Sequence, residues 1–147
     1  MKKIIIYTDG GSRGNPGPAG IGVVFCNEKG EVIKKYAEFL GDKLTNNEAE
    51  YKAVIFALGK FKVLFGKQLA KNSEIEIRSD SELLVRQMNS EYKVLDEKIQ
   101  PLFLDVWNRR FDFKKVKFKL IRREKNKEAD HLVNQALDSE SRSQKLI

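Results

Sequence analysis

The chain opens on an apolar run, Lys3 to Thr8, which predicts a buried strand. Glycines and prolines from Asp9 to Pro18 then predict a loop. Two further strands, Ala19 to Cys26 and Val32 to Phe39, flank a hairpin turn at Asn27-Glu-Lys-Gly30. A helix is predicted from about Thr45 to Phe65, then a strand from Glu74 to Ser79 in which isoleucine alternates with charge. A short helix, Ser81 to Met88, precedes a longer one from about Glu97 to Arg110. There Ile99, Leu102, Phe103 and Val106 recur at helical spacing, and Pro101 marks a first turn or a kink. Lys114 to Ile121 predicts a fifth strand with Val116, Phe118 and Leu120 on one face. The last helix is predicted from Lys127 to about Asp138, with Leu132, Val133, Ala136 and Leu137 inward. Ser139 to Ile147 is expected to be a polar, flexible tail. Three strands followed by alternating strand and helix predict an α/β fold, a mixed sheet with helices packed on it, in one domain of residues 1–138.

Composition narrows the class. The chain has 147 residues, 41% hydrophobic and 33% charged, which fits one globular domain and excludes a disordered or collagen-like chain. No apolar run approaches the ~20 residues of a membrane span, and the first residues read as a strand, not a signal peptide. One cysteine, Cys26, excludes an internal disulfide or thiolate cluster and fits a reducing, cytoplasmic setting. One histidine, His131, excludes multi-histidine zinc sites. The formal charge of +7 is concentrated: Trp107 to Lys127 holds ten basic and two acidic residues, and the other 126 residues hold 18 and 19. Such a segment is either a solvated lysine-rich face or a polyanion footprint, nucleic acid before membrane because no amphipathic anchor accompanies it.

Several acids stand where acids need a reason. Asp9 and Asp80 each directly follow a predicted strand. If those strands are parallel neighbours, both carboxylates project from one sheet edge, where ligand sites of open α/β sheets lie. The alternative for each is a helix cap or an Asx turn, and for Asp80 it is the more serious because Ser81 opens a helix. Glu48 has structural explanations: Thr45-Asn-Asn-Glu48 fits a capping box, and Lys52 follows four residues later. Glu50 has none. It shares a helix face with Ala53, Val54, Ala57, Phe61 and Leu64, where an unpaired carboxylate would cost several kcal/mol. It must be neutralised, paired or bound to a cation. Asp130, in the first turn of the last helix, suits the helix dipole and can also face the sheet edge. Four carboxylates without a thiolate or imidazole cluster point to hard cations, Mg²⁺ or Mn²⁺. With the basic segment they suggest two-metal phosphodiester hydrolysis, at a site poorly organised until metal binds.

These residues resemble the type 1 ribonucleases H. The match runs through Tyr7-Thr-Asp9-Gly-Gly, Gly14-Asn-Pro-Gly-Pro18, Thr45-Asn-Asn-x-x-Glu50, Ser79-Asp80-Ser81 and Asn126-x-x-Ala-Asp130, in that order, and covers the chain to about Asp138. The resemblance implies a ribonuclease H-like fold, a five-stranded mixed sheet with helices on both faces. It also implies a monomer that hydrolyses the RNA strand of an RNA–DNA hybrid to 5′-phosphate and 3′-hydroxyl ends. The family's metal-binding acids fall on Asp9, Glu50, Asp80 and Asp130, holding Mg²⁺ or Mn²⁺, two ions with substrate bound. Asn15, Asn46 and Asn47 match positions that read the minor groove and the RNA 2′-hydroxyls. Lys43 and Thr45 resemble a pocket for a DNA-strand phosphate. Gly10 and Gly11, with Gly14 and Gly17, permit close backbone approach or a tight loop. Lys117 and Lys119 are the candidate phosphate contacts of the basic segment.

The chain departs from the family in three places. Only Asn89 to Asp96 separates two helices where longer members carry a basic protrusion. The loop before Asp130, Arg122-Arg-Glu-Lys-Asn-Lys-Glu128, has no histidine, and Arg123 is the candidate cationic substitute. Gly11 stands where many members have serine. Two other classes compete: a hybrid-binding module without catalysis, which the four acids oppose, and a related-fold nuclease, which the two-asparagine helix start opposes.

Overall fold

The structure, a computed structural model, describes residues 2–145; residues 146–147 of the expected tail lie outside the described residues. Three strands, β1 (Lys2–Ser12), β2 (Gly17–Cys26) and β3 (Val32–Leu44), form an antiparallel meander. After them come α1 (Asn46–Lys71), β4 (Ser73–Ser79), α2 (Glu82–Met88), α3 (Gln100–Arg109), β5 (Lys115–Leu120) and α4 (Lys127–Lys145). The sheet order is β3-β2-β1-β4-β5, with β4 parallel to β1 and β5 parallel to β4.

Alternation along β1 sends successive side chains to opposite faces. Ile4 and Ile6 enter the main core with Ala53, Val54, Ala57 and Phe61 of α1, all fully buried. Ile5 packs the other way, with Val24, Cys26 and Leu132 of α4. Helices therefore cover both faces of a five-stranded mixed sheet, as the resemblance implies.

Several boundaries move. The glycine-rich stretch expected to be a loop from Asp9 is largely strand: β1 continues to Ser12, and Gly10, Gly11 and Ser12 pair with Ile21, Gly20 and Ala19. β3 likewise runs to Leu44. The expected helix end at Phe65 coincides with a break at Gly66 (φ +84°), after which a short helical stretch docks the buried Ala70. Leu64 is 40% exposed and does not extend the core stripe, because Phe65 packs on Phe61 at 4.8 Å between ring centres instead. Helix α3 starts at Gln100, with Pro101 in its first turn, where a missing N–H costs nothing. Leu120 shares a face with Phe118 but is 38% exposed at the strand end. Finally, α4 does not stop at Asp138 but continues to Lys145, since neither glycine nor proline interrupts it. The domain boundary expected at residue 138 therefore falls inside a helix.

Candidate active site

The parallel ladder of β1 and β4 ends at Tyr7↔Arg78, so Asp9 and Asp80 each lie two residues beyond it, side by side at the carboxyl edge. Asp9 is not at a strand end, as its position before the glycines implies, because β1 continues alongside β2. Glu50 reaches the same edge from the second turn of α1. One carboxylate oxygen from each of Asp9, Glu50 and Asp80 lies within 4.8 Å of the others. Asp130, exposed on the first turn of α4, lines the same cleft but stands outside this compact set. Arg123 also lines it, as do Gly10, Gly11 and Asn46.

Local chemistry explains which acid does what. Thr45 and Glu48 form a complete capping box: the Glu48 N–H donates to Thr45 Oγ1 (3.1 Å), and the Thr45 N–H to Glu48 Oε1 (3.0 Å). Glu48 is thereby a helix cap, and Glu50 takes no part in capping. The cap of α2 is Ser81, whose Oγ accepts from the Leu84 N–H, so Asp80 is released from capping. The Gly10 N–H is shared between Asp9 Oδ1 (3.0 Å) and Glu50 Oε1 (2.7 Å) and ties strand to helix.

Two glycines seat the helices that bring in the outer acids. A Cβ on Gly10 would lie 2.3 Å from the Ala49 carbonyl carbon and 2.6 Å from the Glu50 nitrogen, both backbone atoms of α1. A Cβ on Gly22 would lie 2.1 Å from the Ala129 oxygen, at the start of α4. Close approach, not a tight loop, accounts for Gly10. At Gly11 a Cβ would meet only Val133 Cγ1 at 3.6 Å, so serine fits there.

Burial dominates the electrostatics. It pushes the Asp9 carboxyl up to about 7, with help from the charges of Asp80 and Asp130. Glu50 is raised well above the usual carboxylate range, first by burial and then by Asp9 and Asp80. Asp80 is raised by burial, against which the Arg123 charge acts. Among the described residues no lysine or arginine forms an ion pair with any of the three. Hard oxygen donors in a crowded anionic set fit a divalent cation. A carboxyl raised on folding favours the fold while protonated, so stability is full below the unfolded pKa and is lost as pH rises through the folded one. In EDTA the melting temperature should therefore fall as pH rises from about 4 to about 7, relative to Asp9→Asn. Mg²⁺ or Mn²⁺ should restore it, most at the upper end. Thermal unfolding measures this, and parallel pH profiles for the native chain and Asp9→Asn would contradict it.

The remaining expected residues fall in different places. Asn15 Oδ1 accepts from the Asn46 N–H (3.0 Å), and Asn46 Oδ1 from the Ser12 N–H (2.8 Å). These amide oxygens stitch the β1–β2 turn to α1, leaving the NH₂ groups as donors. Asn47 is exposed. Lys43 is exposed on β3 close to the capping Thr45. Lys117 and Lys119 do not line the cleft; they sit on the edge strand opposite Glu76 and Arg78. Lysines there also blunt an open sheet edge. His131 is exposed and does not line the cleft.

Sequence reasoning missed Gly22, Arg13 and the role of Asn126. Arg13 lines the cleft and pairs with Asp138 of α4 at 2.6 Å. Asn126 is 1% exposed; its Nδ2 donates to the Thr8 carbonyl (2.9 Å), and its own carbonyl accepts from the Asp130 N–H (3.1 Å). It fastens the start of α4 to the strand that carries Asp9. An asparagine four residues before an acid in a helix start was the available signal.

A sequence profile described as reverse transcriptase-like matches residues 7–136. The bifunctional protein Rv2228c of Mycobacterium tuberculosis is 34% identical over 142 residues, 96% of this chain but 37% of that protein. The chain thus spans little more than a third of the length of these mycobacterial relatives. Ribonuclease HI of Halobacterium salinarum is 33% identical over 136 residues, covering 92% of this chain and 65% of that one. Among solved structures, LC11-RNase H1 in complex with an RNA/DNA hybrid superposes with a TM-score of 0.87 at 47% identity, over 92% of this chain and 97% of that chain. No helix among the described residues is long and apolar enough to cross a membrane. With the profile spanning nearly the whole sheet and a relative nearly half identical matching it in three dimensions, this chain belongs to the ribonuclease H family.

Proposed function

We propose that the protein is a divalent-metal-dependent endonuclease that hydrolyses the RNA strand of RNA–DNA hybrids, leaving 5′-phosphate and 3′-hydroxyl ends. The observation that carries this reading is the set of buried Asp9 and half-buried Glu50 and Asp80, with carboxylate oxygens within 4.8 Å of one another, in a chain that superposes on a hybrid-bound ribonuclease H1. These three and Asp130 would hold two ions, Mg²⁺ or Mn²⁺. When bound, such ions polarise the scissile phosphate, activate the attacking water and stabilise the leaving 3′ oxygen.

The chain's own groups hold the substrate. The NH₂ groups of Asn15 and Asn46, with the whole amide of Asn47, meet minor-groove acceptors and 2′-hydroxyls, which separates RNA from DNA. The Thr45 hydroxyl accepts from its own helix and still has an O–H to donate, beside Lys43, to a phosphate of the DNA strand. Gly10 and Gly11 both line the cleft, and the side-chain-free Gly11 leaves room there for a substrate backbone to approach. Lys117 and Lys119 contribute long-range attraction rather than contacts in the cleft. Every group of the site comes from one chain, so a monomer suffices, and the buried, unpaired Cys26 suits the reducing cytoplasm.

Arg123 lines the cleft and its charge acts on Asp80, so it would set a fixed positive charge near the scissile phosphate of a bound hybrid. Arg123→Ala should lower kcat about ten-fold with a smaller change in KM, and Arg123→Lys should recover part of the loss. Steady-state kinetics check this, with His131→Ala as a silent control; loss of turnover in the histidine variant alone would contradict it. The chemistry of the cut is read from product ends. Kinase labelling of the RNA fragments should succeed only after phosphatase treatment, and labelling without it would oppose a 5′-phosphate.

A further inference from the structure

At the far end of α1 a second surface has no part in the cleft. Lys62, Lys67, Gln68 and Lys71 of α1 face Phe111 and Asp112 across a groove of about 290 Å³. At 1.5 Å rise per residue, Lys62 lies roughly 18 Å along α1 from Glu50, Lys67 and Lys71 follow beyond the break at Gly66, and no residue lining this groove lines the cleft. The break at Gly66 (φ +84°) turns the chain here and presents lysines from both sides of it. Lys62 pairs with Asp112 at 3.0 Å, while Lys67 and Lys71 form no ion pair among the described residues. Asp112 is the sole acid lining the groove.

The aromatic component is unusual. Phe111 is 72% exposed, a large apolar ring left in water beside the lysines. It is held in place: the Arg110 guanidinium lies 3.5 Å from the Trp107 ring centre and 5.3 Å from that of Phe111. Val63 and Leu64, exposed nearby, do not line the groove, so its apolar contribution is this one ring.

We infer that this groove binds single-stranded nucleic acid, with Lys67 and Lys71 on phosphates and an unpaired base stacked on Phe111. Cations along a groove with an exposed aromatic ring are the elements of sequence-tolerant single-strand binding. A base within a duplex is stacked on both faces and cannot use the ring, which separates this surface from the hybrid cleft. A membrane surface fits less well, because a lone ring without a wider apolar face gives little insertion. One molecule then holds a hybrid at one pole and an unpaired stretch of the same nucleic acid at the other.

The test is fluorescence anisotropy with a labelled oligo-uridine of about ten nucleotides, within the usual single-strand site size, in EDTA. Native protein should bind it. The double variant Lys67→Gln, Lys71→Gln should reduce the salt slope of log affinity by about 1.4, at ~0.7 for each phosphate no longer neutralised. Phe111→Ala should weaken binding about five-fold or more with the slope unchanged. Cleavage of a short blunt hybrid should be unchanged in all variants. Oligo-uridine affinity unaffected by either substitution would overturn the inference and return binding to the cleft. So would a dimer that Phe111→Ala dissociates, or capture by anionic vesicles that depends on Phe111 while oligo-uridine binding does not. The binding measurement needs no turnover, so its failure is distinguishable from failure of the hydrolase reading.

Discussion

Glu50→Gln is expected to lower kcat on an RNA–DNA hybrid by roughly three orders of magnitude or more, beyond the ~10²–10³ lost when one transition-state donor is removed. The substitution keeps the shape and the acceptor. A glutamine Oε1 can still receive the Gly10 N–H that Glu50 now takes at 2.7 Å. What it removes is the charge, in a set where burial first, and then Asp9 and Asp80, raise the Glu50 carboxyl well above its usual range. The variant should therefore melt no lower than the native chain in EDTA, and its response to Mg²⁺ should shrink. Activity is lost without loss of fold, which distinguishes a metal ligand from a structural acid. Glu48→Gln serves as the comparison on the same helix. It loses only part of a capping box, costing about 1 kcal/mol or less, and should retain most activity. Single-turnover cleavage and thermal unfolding of both variants decide the matter. A dead Glu48→Gln beside an active Glu50→Gln would reverse the assignment.

Gly10→Ala and Gly22→Ala should each destabilise the protein by about 3 kcal/mol or more, at the upper end for overpacking, because the added methyl meets backbone rather than a movable side chain. For a domain of this size that is a drop of roughly 10 °C in melting temperature. The clashes are at 2.3 Å with α1 and 2.1 Å with α4, the helices that carry Glu50 and Asp130. Each substitution should therefore also reduce cleavage under conditions where the variant is still folded. Gly11→Ala, one residue away on the same strand, meets only a valine methyl at 3.6 Å and should behave like the native chain. Chemical denaturation and hybrid cleavage on the three variants provide the comparison. Equal stability of Gly10→Ala and Gly11→Ala would contradict the close-packing account.

The elements that carry the site were readable where a single physical signal governed them. Isoleucine alternating with charge located β4 to within a residue, and the apolar stripe of α1 set Glu50 apart from Glu48. The glycine-rich stretch misled, because glycine signals a turn in isolation but here serves close approach. The ladder from Gly10 to Ser12 is held by pairing with β2, a long-range fact that no local pattern contains. The same holds for Gly22, whose reason is the start of α4, far along the chain. Helix α4 ran past its expected end because hydrophobic periodicity stops at Leu137 while helical backbone does not. Asn126 and Arg13 act through contacts between distant segments, and only the fold discloses these. Lys117 and Lys119 show the converse. The basic segment was legible as a composition, yet strand order puts these two lysines on the edge strand beside β4, away from the cleft.

The most direct test of the central claim uses an RNA–DNA hybrid carrying a different label on each strand, incubated with purified protein. In Mg²⁺ or Mn²⁺ the RNA strand should be cut internally and the DNA strand left whole. EDTA should stop the reaction and added metal should restart it. Cleavage of the DNA strand, or undiminished cleavage in EDTA, would contradict the assignment of Asp9, Glu50, Asp80 and Asp130 as the metal-holding centre of a hybrid-specific ribonuclease.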